Sequence, residues 1–151
     1  MWGLIRFIII FFVFFIYSSF KPKEYEKFTI KNLIIYMKQL KIAYIEIVLR
    51  QAKYETSHFS SPIFKKNHNL FGMRLAKRRK TTAIGAKDHY ALYWNWKKSV
   101  KDYSLWQKYR KPKCKDGYDF LKKRKYCPNK EYENKVRKVK LTKEELKLIY
   151  Q

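Results

Sequence analysis

Glu55 is the residue of this chain best placed for acid–base chemistry. Upstream of it, Ile45, Val48, Leu49 and Ala52 recur at helical spacing and make one apolar face. Glu55 lies three residues past Ala52 and seven past Val48, on the edge of that face. A helix ending here sets its negative end against the carboxylate, and the apolar neighbours strip it of water. Both effects disfavour the charged form, so the spacing predicts a raised pKa. A carboxyl that holds its proton is what a general acid needs to protonate the leaving oxygen of a glycosidic bond. The plain alternative is a solvated glutamate near a helix end, one of 12 acids in the chain.

The wording around Glu55 is more specific than its spacing. Gln51, Ala52, Glu55, Thr56 and Phe59, then Asn69, Leu70, Phe71 and Gly72, stand in an ordered signature. Its pattern is roughly Ala-Gln-Ala-x-x-Glu-Ser/Thr-Gly-x-Phe followed by Asn-Asn-Leu-Phe-Gly. In this signature the chain resembles the glucosaminidases of glycoside hydrolase family 73, the mannosyl-glycoprotein endo-β-N-acetylglucosaminidase type. Ser57-His58 replaces the usual Gly-x, and His68 replaces the first Asn. Further blocks follow in the same order: Arg79-x-Thr81, Tyr90-Ala91-x-Tyr93, and Trp96-x-x-Ser99-Val100-x-Asp102-Tyr103-x-x-Trp106-Gln107. The resemblance covers roughly residues 29–136. It implies a lysozyme-like α+β fold, mainly α, with a helical lobe, a small β-lobe and a cleft between them. It also implies a peptidoglycan hydrolase that cleaves β-1,4 bonds after N-acetylglucosamine, with Glu55 as general acid and with no cofactor or metal.

Such hydrolysis normally uses two carboxylates, and the second is not evident. The family's partner, where one is assigned, lies on the β-lobe, and residues 77–93 contain only Asp88. No motif pins Asp88, and a solvated loop acid beside Lys87 is an equal reading. Glu46 sits nine residues before Glu55 on the same helix, about 13 Å away along the axis. That is too far. Two routes need no second carboxylate: the substrate's own N-acetyl group as nucleophile, or a single glutamate serving as acid and base as in lytic transglycosylases. The family also carries a cleft tyrosine in a motif like Tyr-Ala-Thr/Glu-Asp-Pro-x-Tyr-x-x-Lys-Val. The stretch Tyr126-Cys127-Pro128-Asn129-Lys130-Glu131-Tyr132-Glu133-Asn134-Lys135-Val136 is similar to it. Tyr126 is the third catalytic candidate, with a packing tyrosine as the equal alternative. On the substrate side the resemblance implies His68, Asn69, Phe71 and Tyr90. By residue type, Asn69 fits a loop organiser, Phe71 a core residue under the cleft, and His68 either a sugar ligand or a support for Asn69.

The elements that must position these groups follow from periodicity. Thr29 is an N-cap, and Leu33, Ile34, Met37 and Leu40 continue a first helix. A second helix over residues 44–56 delivers Glu55. Residues 57–69 read as a loop, and Gly72 permits a tight turn as the chain returns. Residues 77–93 read as short β segments about a turn. A helix starts near Asn95 with Trp96, Val100, Tyr103 and Trp106 on one side. Shorter helices follow over 117–125 and 131–140. Thr142-x-x-Glu145 is a capping box opening a last helix, with Leu146 and Ile149 inward.

Residues 7–20 form a nearly unbroken apolar run after one arginine. Its length suits a signal-peptide core, and extended back it reaches the length of a membrane anchor. Residues 1–20 therefore read as a signal peptide or as an anchor over residues 4–20. Residues 21–28 read as a linker, and 29–151 as the catalytic domain. The expected location is the periplasm or cell envelope. Cys114 and Cys127 either form one disulfide, worth about 3 kcal/mol at most, or remain thiols; no Cys/His spacing suggests zinc. Lys and Arg total 36 against 12 acids, a net charge of +24. That excess suits peptidoglycan strands, anionic envelope polymers or a membrane surface, whereas a nucleic-acid partner for the run at 77–80 fits poorly with an exported leader. Hydrophobic content of 46% excludes a disordered chain. From another class, an inactive wall-binding scaffold of the same fold also fits.

Overall fold

The computed structural model describes residues 26–109 and 113–151. The leader at 1–20 and most of the linker lie outside them. Among the described residues no helix is long and apolar enough to cross a membrane. They form seven helices and one two-stranded antiparallel sheet, a mainly α, lysozyme-like α+β fold.

Helix α1, Ile30–Gln39, starts where Thr29 Oγ1 accepts the Asn32 N–H at 3.0 Å. It buries Leu33, Ile34 and Met37. Two left-handed residues, Lys41 and Tyr44, turn the chain into α2, Ile45–Glu55. That turn is clamped from afar. Gln107 accepts from the Ala43 N–H and donates to the Ala43 carbonyl, each at 3.0 Å.

Helix α2 is the central element. Its Val48, Leu49 and Ala52 meet Leu33, Ile34 and Met37 in a core that Leu70, Phe71, Trp96, Val100 and Tyr103 complete. Lys53, also buried, forms a 2.6 Å ion pair with Glu145 of α7, Lys143–Tyr150. Glu145 is at the same time the far member of the Thr142 capping box. On α7 the core-packed residues are Leu148 and Ile149, so Leu146 does not take the inward place the spacing assigned to it.

The segment after α2 is not all loop. Ser61 caps a short helix α3, Pro62–Asn67, with Pro62 in the first turn, where its missing N–H costs nothing. The β-lobe follows: β1, Gly85–Lys87, pairs with β2, Tyr90–Leu92, across an Asp88-His89 turn with both φ positive. Asn95 then caps α4, Trp96–Lys108. Helices α5, Gly117–Lys123, and α6, Tyr132–Lys138, pack on each other and on α2. They enclose a second cluster of Phe120, Leu121, Tyr132 and Val136, with Cys114 and Cys127 at its border and not bridged.

Candidate active site

Glu55 is the last residue of α2, and its neighbours explain why the carboxyl is held where it is. The Tyr132 O–H donates to Glu55 Oε1 at 2.6 Å. Gln51, one turn earlier on α2, donates its Nε2–H to the same phenol oxygen at 3.0 Å. The Tyr103 O–H in turn donates to Gln51 Oε1 at 2.6 Å. The result is a directed chain, Tyr103 to Gln51 to Tyr132 to Glu55, in which each donor points toward the carboxylate. Gln51, Tyr103 and Tyr132 are all buried, so water does not compete for these bonds.

Burial raises the Glu55 pKa above the usual carboxyl value, and the Tyr132 hydrogen bond pulls against it. Burial outweighs the bond. No neighbouring charge is among the causes, so the carboxyl behaves as a desolvated acid and not as half of an ion pair. The same surroundings act on the phenols. Burial first, then the charge of Glu55, holds Tyr132 well above the ordinary tyrosine value. Tyr126 is held well above it too, by burial first and then by Tyr132 and Glu55. These side chains are hydrogen-bond donors near neutral pH; none is a base.

The other carboxylate oxygen faces backbone. A Cβ placed on Gly72 would lie 2.6 Å from Glu55 Oε2. Gly72 also has φ +61, a left-handed conformation that side-chain-bearing residues resist. Position 72 therefore excludes a side chain twice over. The ring of Tyr90 closes the same spot, its Cε1 3.9 Å from that Cβ position.

Asn69 builds the loop that brings Gly72 there. Its Nδ2 donates to the Met73 and Ala91 carbonyls at 2.9 and 3.0 Å, and its Oδ1 accepts from the Phe71 and Met73 N–H groups at 3.2 Å. Leu70 N–H reaches Ser99 Oγ at 3.2 Å. The hairpin is stitched to the same loop, Ala91 N–H to Met73 O at 2.8 Å and Tyr93 N–H to Asn67 O at 3.0 Å. Behind it, Arg79 makes a bidentate pair with buried Asp102 at 2.8 and 3.0 Å. Tyr93 donates to the same carboxylate at 2.9 Å. Burial would raise the Asp102 pKa, but Arg79, Thr81 and Tyr93 together hold it below the carboxylate range.

The candidates from sequence are thus sorted by geometry. Glu55, Gly72 and Tyr90 come together. Tyr126 lies near Glu55 but does not hydrogen-bond to it: its hydroxyl donates to the Phe71 carbonyl, and its ring stacks on Tyr132 at 5.7 Å between centroids. Tyr132, six positions further along the same motif, takes the place at the carboxyl. Gln51 and Tyr103 complete the chain of donors; both stood in the signature blocks, but their spacing carried no hint of a shared bond. Asn69 and Phe71 are fully buried and offer no surface to a glycan; they shape the loop. His68 is half-buried and ends α3 in a left-handed conformation. Asp88 is exposed in the hairpin turn, and among the described residues no second carboxylate lies within hydrogen-bond reach of Glu55. No group of three or more His, Cys, Asp or Glu among the described residues is placed to hold a metal ion.

A family model for glucosaminidases, described as mannosyl-glycoprotein endo-beta-N-acetylglucosaminidase, matches residues 30–144. The chain belongs to the glucosaminidase family. No curated protein and no solved structure matches it. Membership makes the chain a glycoside hydrolase with a glycan substrate. The glucosaminidase match begins at the first residue of α1 and ends in the first turn of α7. It therefore encloses Glu55, the donor chain behind it and the Gly72 loop.

Proposed function

We propose that this glucosaminidase-family chain hydrolyses the β-1,4 bond after N-acetylglucosamine in peptidoglycan, with Glu55 as general acid. What carries the reading is the desolvated Glu55 carboxyl, anchored at Oε1 by Tyr132 and turned at Oε2 toward the side-chain-free Gly72. With Oε1 occupied as an acceptor, Oε2 is the oxygen that carries the transferable proton.

Since among the described residues no second carboxylate is within hydrogen-bond reach of Glu55, the substrate's acetamido oxygen is the nucleophile in this scheme. It attacks C1 as the C1–O bond breaks, and the leaving oxygen takes the proton from Oε2. A water then adds to C1, giving its proton to the Glu55 carboxylate and reopening the ring. Glu55 serves as acid and then as base, which the single-carboxylate site supports. Asp88 has no part in this scheme. The apolar run at 7–20 is the ground for placing the reaction outside the cytoplasmic membrane, on residues 29–151 as catalytic domain.

The same lone glutamate also favours a second reading, a lytic transglycosylase in which a muramyl hydroxyl replaces water. Digestion of purified peptidoglycan by the chain and by Glu55→Gln, with products read by mass spectrometry, separates the two. Reducing-end N-acetylglucosamine lost in the variant supports the glucosaminidase; anhydro-muramyl ends move the activity to the transglycosylases. A folded, wall-binding chain that releases no products sinks both and leaves the scaffold.

A further inference from the structure

Gly72 also lines a cavity of about 320 Å³, together with Arg74, Arg79, Arg124, Lys125 and Tyr126. Four of its lining residues are cations and none is an acid. The charges are not equivalent. Arg79 is neutralised by its bidentate pair with Asp102 and forms a fixed wall. Arg124 lies over the Trp106 ring, its guanidinium carbon 5.1 Å from the centroid, and is held as part of the floor. Arg74 and Lys125 are exposed, and no described carboxylate pairs with either. They are the exposed positive charges at the mouth of the recess.

Position matters as much as charge. Gly72 lies against Glu55 Oε2, which a Cβ there would meet at 2.6 Å, and it also lines this cavity, so one residue joins the recess to the catalytic carboxyl. Tyr126, which packs on Tyr132, forms part of its lining. A glycan strand crossing Gly72 would run its next substituents into a pocket with positive walls. A strand of N-acetylglucosamine alone is neutral there. A strand with muramyl residues carries carboxylates, on the lactyl ether or on the peptide attached to it.

We propose that this cavity is an anion subsite of the cleft, where Arg74 and Lys125 bind a carboxylate carried by the muramyl side of the substrate. This rests on the reading of Glu55 as the acid acting on peptidoglycan, and deepens it: the site selects the charged wall polymer over neutral chitin-type oligosaccharides of the same linkage. Two partly solvated charge–charge contacts are worth about fivefold in affinity together, and that gain shrinks with added salt.

The test is calorimetric titration of the full-length Glu55→Gln chain, which binds without turnover. Three ligands are used: soluble peptidoglycan fragments bearing peptides, the same fragments stripped to the lactyl carboxylate, and N-acetylglucosamine oligosaccharides of equal length. The charged fragments are expected to bind about fivefold tighter than the neutral ones. Adding Arg74→Gln and Lys125→Gln should bring them down to the neutral value, without moving neutral binding by the same factor. Tight binding of the stripped fragments assigns the lactyl carboxylate; tight binding only of the peptide-bearing ones assigns a peptide carboxylate. Equal affinity for all three ligands, or an equal loss on all three in the double variant, overturns the subsite and leaves Glu55 untouched. Binding of none of them removes the glycan cleft, and with it both readings.

Discussion

The Tyr132 phenol donates to Glu55 Oε1 at 2.6 Å across a sequence separation of 77 residues. This bond is the point where α6 meets α2 in the site, and it opposes the effect of burial on the acid. Burial raises the pKa and thereby keeps a proton available. The phenol moderates the rise and fixes which oxygen is free.

Tyr132→Phe removes that moderation. With the lowering bond gone, the Glu55 pKa rises further, and the acid stays protonated to higher pH. The alkaline limb of kcat/KM, which follows loss of the general acid's proton, is expected to move upward in pH. The variant also leaves Gln51 Nε2 buried without its acceptor, at a cost of about 1–3 kcal/mol in stability. A pH–rate series beside a urea titration reads both. Loss of activity at every pH with an unmoved limb would reduce Tyr132 to a packing residue.

Gly72→Ala attacks the other oxygen. Its Cβ would sit 2.6 Å from Glu55 Oε2, on a backbone with φ +61. The left-handed conformation costs about 1–2 kcal/mol for an L residue, read as a lowered urea midpoint. The larger effect is on rate. Displacing the carboxyl by the order of 1 Å is expected to lower kcat about a hundredfold. A variant that is destabilised but turns over normally would show that Oε2 does not need this position.

Much of the scaffold was legible because its signals are local. Thr29, Asn95 and Thr142 announce helix starts by a side chain reaching a backbone N–H two or three residues on, and the structure forms those caps. Helix α3 is hidden in the sequence because Pro62 and Asn67-His68 look like breakers; Ser61 before Pro62 is in fact a helix start, and His68 its end. The choice between Tyr126 and Tyr132 was not legible. Both belong to one motif, and which phenol reaches Glu55 depends on how α6 seats against α2, a tertiary contact with no local signature. Asn69 was readable as a loop organiser from its residue type, but its four simultaneous bonds also hold the hairpin, which only the fold discloses.

Ser57 is where the chain departs from the family's glycine, and the backbone shows the cost. Ser57, His58 and Phe59 have φ of 48°, 57° and 66°, three consecutive left-handed residues at the end of α2. Thr56 holds the turn, donating from Oγ1 to the Ala52 carbonyl at 2.6 Å and accepting from the Phe59 N–H at 2.9 Å. Ser57→Gly relieves one of the three, against a larger entropy loss on folding. A net gain of about 0.5–1 kcal/mol is expected, with activity retained. A loss of stability in chemical denaturation would mean that the Ser57 side chain contributes more than its conformation costs.

Glu55→Gln gives a stability signature independent of any assay of glycan cleavage. The folded pKa of Glu55 lies above its unfolded value, so below the unfolded value both states are protonated and the wild type bears no penalty. As pH rises from there through the folded pKa, the unfolded chain ionises first and the native state loses ground. Above the folded pKa the loss is complete and constant. Glutamine keeps an oxygen for the Tyr132 phenol and does not ionise, so the variant lacks this slope. Its melting temperature should run parallel to that of the wild type under acid conditions and exceed it increasingly as pH passes from the ordinary carboxyl range toward neutrality. Equal gaps at all pH values would mean that Glu55 is solvated like a surface acid. The desolvated proton on which the catalytic reading depends would then be absent.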